Sequence, residues 1–240
     1  MFVKLTAAAT FAAALLMASS ASATLIRDYE LNNSLTDSAG SGVSIVNNGG
    51  VLGATGITFA ANQGPTVTGL SLSTYTIATN FEFDSLSGFR KIVDFKNLAS
   101  DNGLYDLSGN LNYFNFVTAA SGSFTAGTNA LVVLTRDGVT QLVIGYVNGV
   151  QMIQFTDTTN DAVINDPLRF FQDDNPTGQR EASSGSVDFI QIYDTALVGG
   201  VIGGPRGGVP EPATWALMIL GLGGIGASLR QRRRATPAAV

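Results

Sequence analysis

The chain has 240 residues, with 18 Asp and Glu against 13 Lys and Arg, a formal net charge of −5, and neither Cys nor His. Without Cys there is no disulfide framework, thiol nucleophile or thiolate metal site. Without His, the Ser-His-Asp and Cys-His catalytic arrangements and every histidine-ligated zinc site are excluded.

Near the N-terminus, Lys4 precedes an apolar stretch from Leu5 to Met17 and then Ser19-Ser20-Ala21-Ser22-Ala23. The small residues at Ala21 and Ala23 form an A-x-A cleavage pattern, which predicts a signal peptide over 1–23 and export across the inner membrane. Residues 24–198 then have the length of one domain. Between Thr24 and Gly208 seventeen acids stand against eight bases. Such a surface repels phosphate backbones and argues against nucleic acid as a partner.

Within this domain the segments are short, rich in Val, Ile, Phe, Tyr and Thr, and separated by Gly, Asn, Asp and Ser clusters. That pattern predicts an all-β fold. The clearest unit runs from Ala130 to Phe155. Ala130 to Thr135 reads as a strand, Asp137-Gly138 as a turn, and Leu142, Ile144 and Tyr146 alternate with Val143, Gly145 and Val147. Asn148-Gly149 suits the positive φ values of a two-residue hairpin, after which Val150 to Phe155 continues the meander. So many half-apolar strands are best buried by two antiparallel sheets packed face to face.

Three separated motifs sharpen the expectation. The opening Asp28-Tyr29-Glu30-Leu31-Asn32-Asn33-Ser34-Leu35-Thr36-Asp37-Ser38-Ala39-Gly40, the hairpin Tyr146-Val147-Asn148-Gly149 and the closing Gly185 to Leu197 stand in order. Together they resemble the first strand, the Tyr-x-Asn-Gly hairpin and the last strand of laminin-G-like, concanavalin-A-like jelly rolls. The resemblance spans about residues 25–197. It implies a two-sheet antiparallel jelly-roll sandwich whose first and last strands lie near each other.

Among candidate sites, Asp173-Asp174-Asn175 forms a polar loop after Leu168-Arg169-Phe170-Phe171, with Gly178 and Glu181 nearby. Carboxylate and carbonyl oxygens of this kind suit Ca²⁺, and laminin-G-like domains often carry one at the rim, so Asp173 and Asp174 are the expected metal residues. The same residue types also form turns without any ion. Asp101-Asn102-Gly103 reads as a turn and Asp157 to Asp166 as a solvated loop. Tyr105, Tyr113, Phe114 and Phe116, interleaved with Asn110, Asn112 and Asn115, offer stacking faces and amides for a sugar. Core packing explains Phe114 and Phe116 equally well, since alternate strand residues share a face. Glycosidases of the concanavalin-like fold resemble one another in a Glu-x-Asp-x-x-Glu strand. Here Glu82-Phe83-Asp84 is the nearest approach and no second Glu follows, so catalysis is not expected.

Glycines from Gly199 to Gly208 form a flexible linker. Beyond it, Val209-Pro210-Glu211-Pro212 leads into an uncharged run from Ala213 to Leu229, closed by Arg230-Gln231-Arg232-Arg233-Arg234. As a helix the run covers roughly 26 Å, enough for a thin bilayer, and the arginines hold that end in the cytoplasm. Residues 209–234 resemble the PEP-CTERM sorting signal of Gram-negative bacteria. The resemblance implies transient membrane anchoring and cleavage near the Pro-Glu-Pro by an exosortase, with the protein then at the cell surface or in the extracellular matrix. The plain alternative is a C-terminal anchor that is never cut. The expected function is a non-catalytic surface or matrix protein that binds polysaccharide or protein; the alternative is a hydrolase or lyase of the same fold acting on exopolysaccharide.

Overall fold

The computed structural model describes residues 23–200 and 202; the expected signal peptide, up to Ser22, and residues 209–234 lie outside these. Fourteen strands follow in chain order: β1 (Leu25–Tyr29), β2 (Val51–Leu52), β3 (Ile57–Phe59), β4 (Thr66–Val67), β5 (Tyr75–Phe83), β6 (Phe89–Asp94) and β7 (Gly103–Leu107). The second half contributes β8 (Asn110–Tyr113), β9 (Val117–Thr118), β10 (Ala130–Arg136), β11 (Leu142–Val147), β12 (Val150–Thr156), β13 (Leu168–Phe170) and β14 (Gly185–Tyr193). They form two antiparallel sheets, as the alternation of apolar residues requires. The larger runs β12-β11-β10-β5-β14-β3-β2, and the smaller runs β4-β13-β6-β7-β8-β9.

The ends of the domain meet where the resemblance placed them. β14 pairs with β5 along one side, while its other side takes β3 at Gly185–Val187 and β1 at Ile190–Tyr193. Between the sheets lies one core of Tyr29, Ile57, Phe59, Phe81, Phe83, Leu104, Leu111, Phe170, Phe171, Val187 and Ile190, among others. Burying a side chain of this size contributes roughly 1.5–3 kcal/mol, so this layer is the main favourable term of the fold. Phe59 and Phe171 stack at 4.7 Å between centroids, and Phe81 and Phe83 meet edge to face at 4.9 Å.

At the predicted hairpin, Asn148 (φ 50) and Gly149 (φ 79) link Val147 to Val150. Two positive φ values match the right-handed strand twist, which is why the Asn-Gly pair sits there. The turn after β10 is longer than a dipeptide. Asp137 Oδ1 accepts from the amides of Val139 and Thr140, and Gln141 takes a positive φ before β11 begins.

Two expectations fail for identifiable reasons. The Asp157 to Asp166 segment is not simply solvated: Asp157, Ala162 and Ile164 are fully buried. Arg136, at the end of β10 and also buried, draws Asp157 inward, with Nε donating to Asp157 Oδ2 at 2.8 Å. Phe114 and Phe116 do not share a face either. Asn115 takes a positive φ of 64 between them, so Phe116 packs with Tyr113 and Phe155 against the core while Phe114 packs with Phe89 and Tyr105 outside it.

Candidate functional site

The residues with unsettled charge gather on the outer side of the smaller sheet. Lys91 lies on β6, Tyr105 opposite it on β7, and Asp101 in the loop joining these strands. Asp173 and Asp174 arrive from the loop after β13. Phe171 takes a positive φ of 56 there, turning the chain out of the strand, and its amide donates to Ile92 O. Glu181 closes the group, with its carbonyl accepting from the Lys91 amide at 2.8 Å. Gly103 is required beside them, because a Cβ at that position would come within 2.6 Å of Val93 O and 3.2 Å of Lys91 Cδ.

The arrangement turns around one ammonium. Lys91 Nζ, fully buried, donates to Asp174 Oδ2 at 2.8 Å and to Asp101 O at 3.2 Å, lies 3.9 Å from Asp94 Oδ2, and sits 4.3 Å from the Tyr105 ring centroid. Tyr105 Oη donates to Asp101 Oδ1 at 2.7 Å and reaches Asp174 Oδ2 at 3.3 Å. Asp173 Oδ2 accepts from Thr177 Oγ1 and from the Glu181 amide. Three buried oxygens of this group have no hydrogen-bond partner: Asp94 Oδ2, Asp173 Oδ1 and Glu181 Oε2.

The electrostatics follow from five carboxyls sharing one cation. Burial, then the charges of Asp101, Asp173 and Asp174, pushes Glu181 up to about 7. Burial likewise raises Asp94 and Asp101. Burial alone would also raise Asp174, but the Lys91 hydrogen bond and charge hold it below its ordinary value. Tyr105 is raised far above its usual range by burial and by its bond to Asp101, so it stays a neutral donor. Asp106, buried on β7, is pushed up to about 7 by burial.

Carboxylate oxygens of Asp101, Asp173 and Asp174 lie within 4.8 Å of one another, a hard-oxygen set of the kind Ca²⁺ uses. With Lys91 in place the set does not fit a divalent ion at Asp174. At 4 Å and an effective dielectric of 20, a double charge beside the ammonium costs on the order of 8 kcal/mol. Asp173 and Asp174 are therefore together, as expected, but with two partners the sequence does not reveal. By sequence alone Asp101 reads as a turn, and Lys91 is not singled out. The one available signal is Lys91 itself, a lysine on a strand between Arg90 and the apolar Ile92-Val93.

Beside this cluster lies an aromatic group. Phe89, Tyr105 and Phe114 pack mutually at 5.5–6.1 Å between centroids, with Phe89 and Phe114 half-exposed. Asn112 faces Tyr105 across the β7–β8 pair. Its amide donates to Val117 O and Thr118 Oγ1, while its buried Oδ1 accepts nothing. A separate cavity of about 230 Å³ opens by β2, β3, β5 and β14, lined in part by Thr58, Glu82, Asp84, Ser186 and Asp188. Burial, opposed by the Asn80 hydrogen bond and reinforced by the charge of Glu82, raises Asp188 there.

Comparison with known proteins places both parts of the chain. Residues 208–234 match the PEP-CTERM protein-sorting motif. The chain thus carries a sorting signal that implies export, membrane-anchored transit and processing by an exosortase. No curated protein matches by sequence. The sandwich is similar to domain 4 of AbnA, a GH43 extracellular arabinanase from Geobacillus stearothermophilus solved with arabinotriose. The TM-score is 0.53 at 18% identity, over 74% of this chain and 95% of that one. It is also similar to the binding domain of Paraclostridial Mosquitocidal Protein 1, with TM-score 0.56 and 17% identity over 73% of this chain and 50% of that one. Trypanosoma rangeli sialidase gives TM-score 0.54 and 16% identity, over 73% of this chain and 31% of the enzyme. The chain spans about half of the second protein and a third of the third. Such likeness shows the fold: an all-β sandwich of jelly-roll type.

Proposed function

We propose that the exported domain is a non-catalytic surface protein that binds polysaccharide through the outer side of its smaller sheet. The observation that carries the reading is the half-exposed pair Phe89 and Phe114 beside Asn112, whose buried Oδ1 accepts no hydrogen bond. Apolar ring faces stack on the C–H faces of sugars, and the buried Asn112 oxygen becomes a hydroxyl acceptor once the ligand parts the rings that cover it. The arabinotriose held by the related arabinanase domain and the sialic acid held by the sialidase are ligands of those proteins. They support the class of ligand and leave its identity to experiment.

A glycan array with the purified protein, set beside a reducing-end release assay, tests this reading. Binding without release is expected, and Phe114→Ala should weaken binding about tenfold while leaving thermal stability nearly unchanged. Release of reducing ends would overturn it in favour of a hydrolase or lyase. One observation favours that second reading: the cavity that brings Glu82, Asp84 and Asp188 together. It then requires that Glu82→Gln abolish release. Processing is tested separately by intact mass of the exported native protein. A species ending near Pro212 is expected, and one still carrying Arg230 to Arg234 would sink the exosortase assignment.

A further inference from the structure

We infer that Lys91 is a built-in substitute for a rim metal ion: its ammonium holds together the three segments that a Ca²⁺ ion at Asp173 and Asp174 would hold. Lys91 Nζ is bonded to Asp174 Oδ2 from the loop after β13 and to the main-chain oxygen of Asp101 from the β6–β7 loop. It lies 3.9 Å from Asp94 Oδ2 on its own strand, with the face of Tyr105 closing the remaining side at 4.3 Å. Oxygen ligands drawn from separate loops, at least one of them a main-chain carbonyl, are what a hard cation recruits.

A lysine would not be buried completely unless the site needed its charge, since an unpaired buried ammonium is among the costliest groups to desolvate. Its reach is fixed by the fold. Gly103 leaves room for the stem at Cδ, and the Lys91 amide is tied to Glu181 O. The charge is nevertheless incomplete. Asp173 Oδ1, from a fully buried residue, has no partner, and neither has Glu181 Oε2. The chain thus keeps acid in excess around a monovalent cation. Removing the ammonium should expose a set of oxygens able to take a divalent one.

The test is thermal unfolding and calorimetric titration of the purified full chain with millimolar CaCl₂ and with EDTA. Wild type and Lys91→Met, which keeps the stem's length and removes the charge, are compared. Wild type is expected to melt at the same temperature in both conditions and to show no binding heat. Lys91→Met should melt on the order of 10 °C lower in EDTA and recover several degrees in CaCl₂. Asp173→Asn in the Lys91→Met background should erase that recovery. A wild type stabilised by calcium would overturn the inference, because the ion would then sit beside the lysine. So would a Lys91→Met protein that calcium does not raise. If Lys91→Met does not fold, the wild-type comparison decides alone, with Lys91→Arg expected to remain indifferent to calcium.

Discussion

Two buried cations anchor opposite accounts of charge in this domain. Arg136 is matched one to one: Nε donates to Asp157 Oδ2, the two terminal nitrogens to Ser73 O and Asn160 Oδ1. Asp157 is itself saturated by the amides of Asp161 and Ala162. Lys91 stands among Asp94, Asp101, Asp173, Asp174 and Glu181, and three of their oxygens are orphaned. The first is an ion pair whose desolvation is offset by complete hydrogen bonding, and it has the form of a structural clamp. The second keeps surplus negative charge at a place where loops meet, which is where protons and ligands can still act.

The largest test of this contrast is at the clamp. Asp157→Asn leaves Arg136 buried without its counter-charge, and breaking a buried pair in this way costs about 3–5 kcal/mol. A drop in melting temperature on the order of 10 °C is expected. A loss below 1 kcal/mol would mean that the two sites are not different in kind.

The next effect is the pH dependence set by two raised carboxyls, Glu181 in the acid cluster and Asp106 outside it. Glu181 and Asp106 both have folded-state values of about 7, against ordinary values of 4.5 and 3.8. Below about pH 4 both states are largely protonated. As pH rises toward 7, the unfolded chain loses these protons first and is favoured. Stability should therefore fall between pH 4 and 8, by about 4 kcal/mol, most of it from the fully buried Asp106, with the share of Glu181 discounted for solvent screening. Chemical denaturation across that range checks it. Glu181→Gln with Asp106→Asn should flatten the slope, and a double variant with an unchanged slope would count against the assignment.

A neutral reference comes from Gly149. The position is open, with no atom within 4 Å of the place a Cβ would occupy, so Gly149→Val suffers only from φ of 79. A β-branched residue there should cost about 1 kcal/mol. Because no charge is involved, the pH profile should move down without changing shape.

How much of this is legible in the sequence follows the physics of each feature. Period-two alternation and the Asn-Gly pair are local, so the strand and hairpin from Ala130 to Phe155 can be read directly, as can the pairing of β1 with β14 through resemblance. The Asp173-Asp174 loop is visible as a cluster because its members are adjacent in sequence. Lys91 and Asp101 are not, since they reach those aspartates only through the β6–β13 pairing and the β6–β7 connection. Asp157 reads as solvated because its partner Arg136 lies twenty-one positions away. The separation of Phe114 from Phe116 turns on a single positive φ at Asn115, which alternation alone does not disclose.

The smallest expected effect is also the most discriminating. Asp173→Asn retains an oxygen that can accept from Thr177 Oγ1 and the Glu181 amide, the two bonds now made by Oδ2. In place of the orphaned Oδ1 it puts an NH₂ among carboxylates, where it can donate. It also removes one negative charge from those that hold Glu181 at about 7, so the Glu181 value should move down. The net change should lie within about 0.5 kcal/mol, and toward stabilisation above pH 7, where the surplus charge is fully developed. The same chemical change at Asp157 is expected to cost several kcal/mol. If both aspartate-to-asparagine variants lost several kcal/mol, the excess of acid around Lys91 would have to be a satisfied network, and its three unpartnered oxygens would need partners in solution.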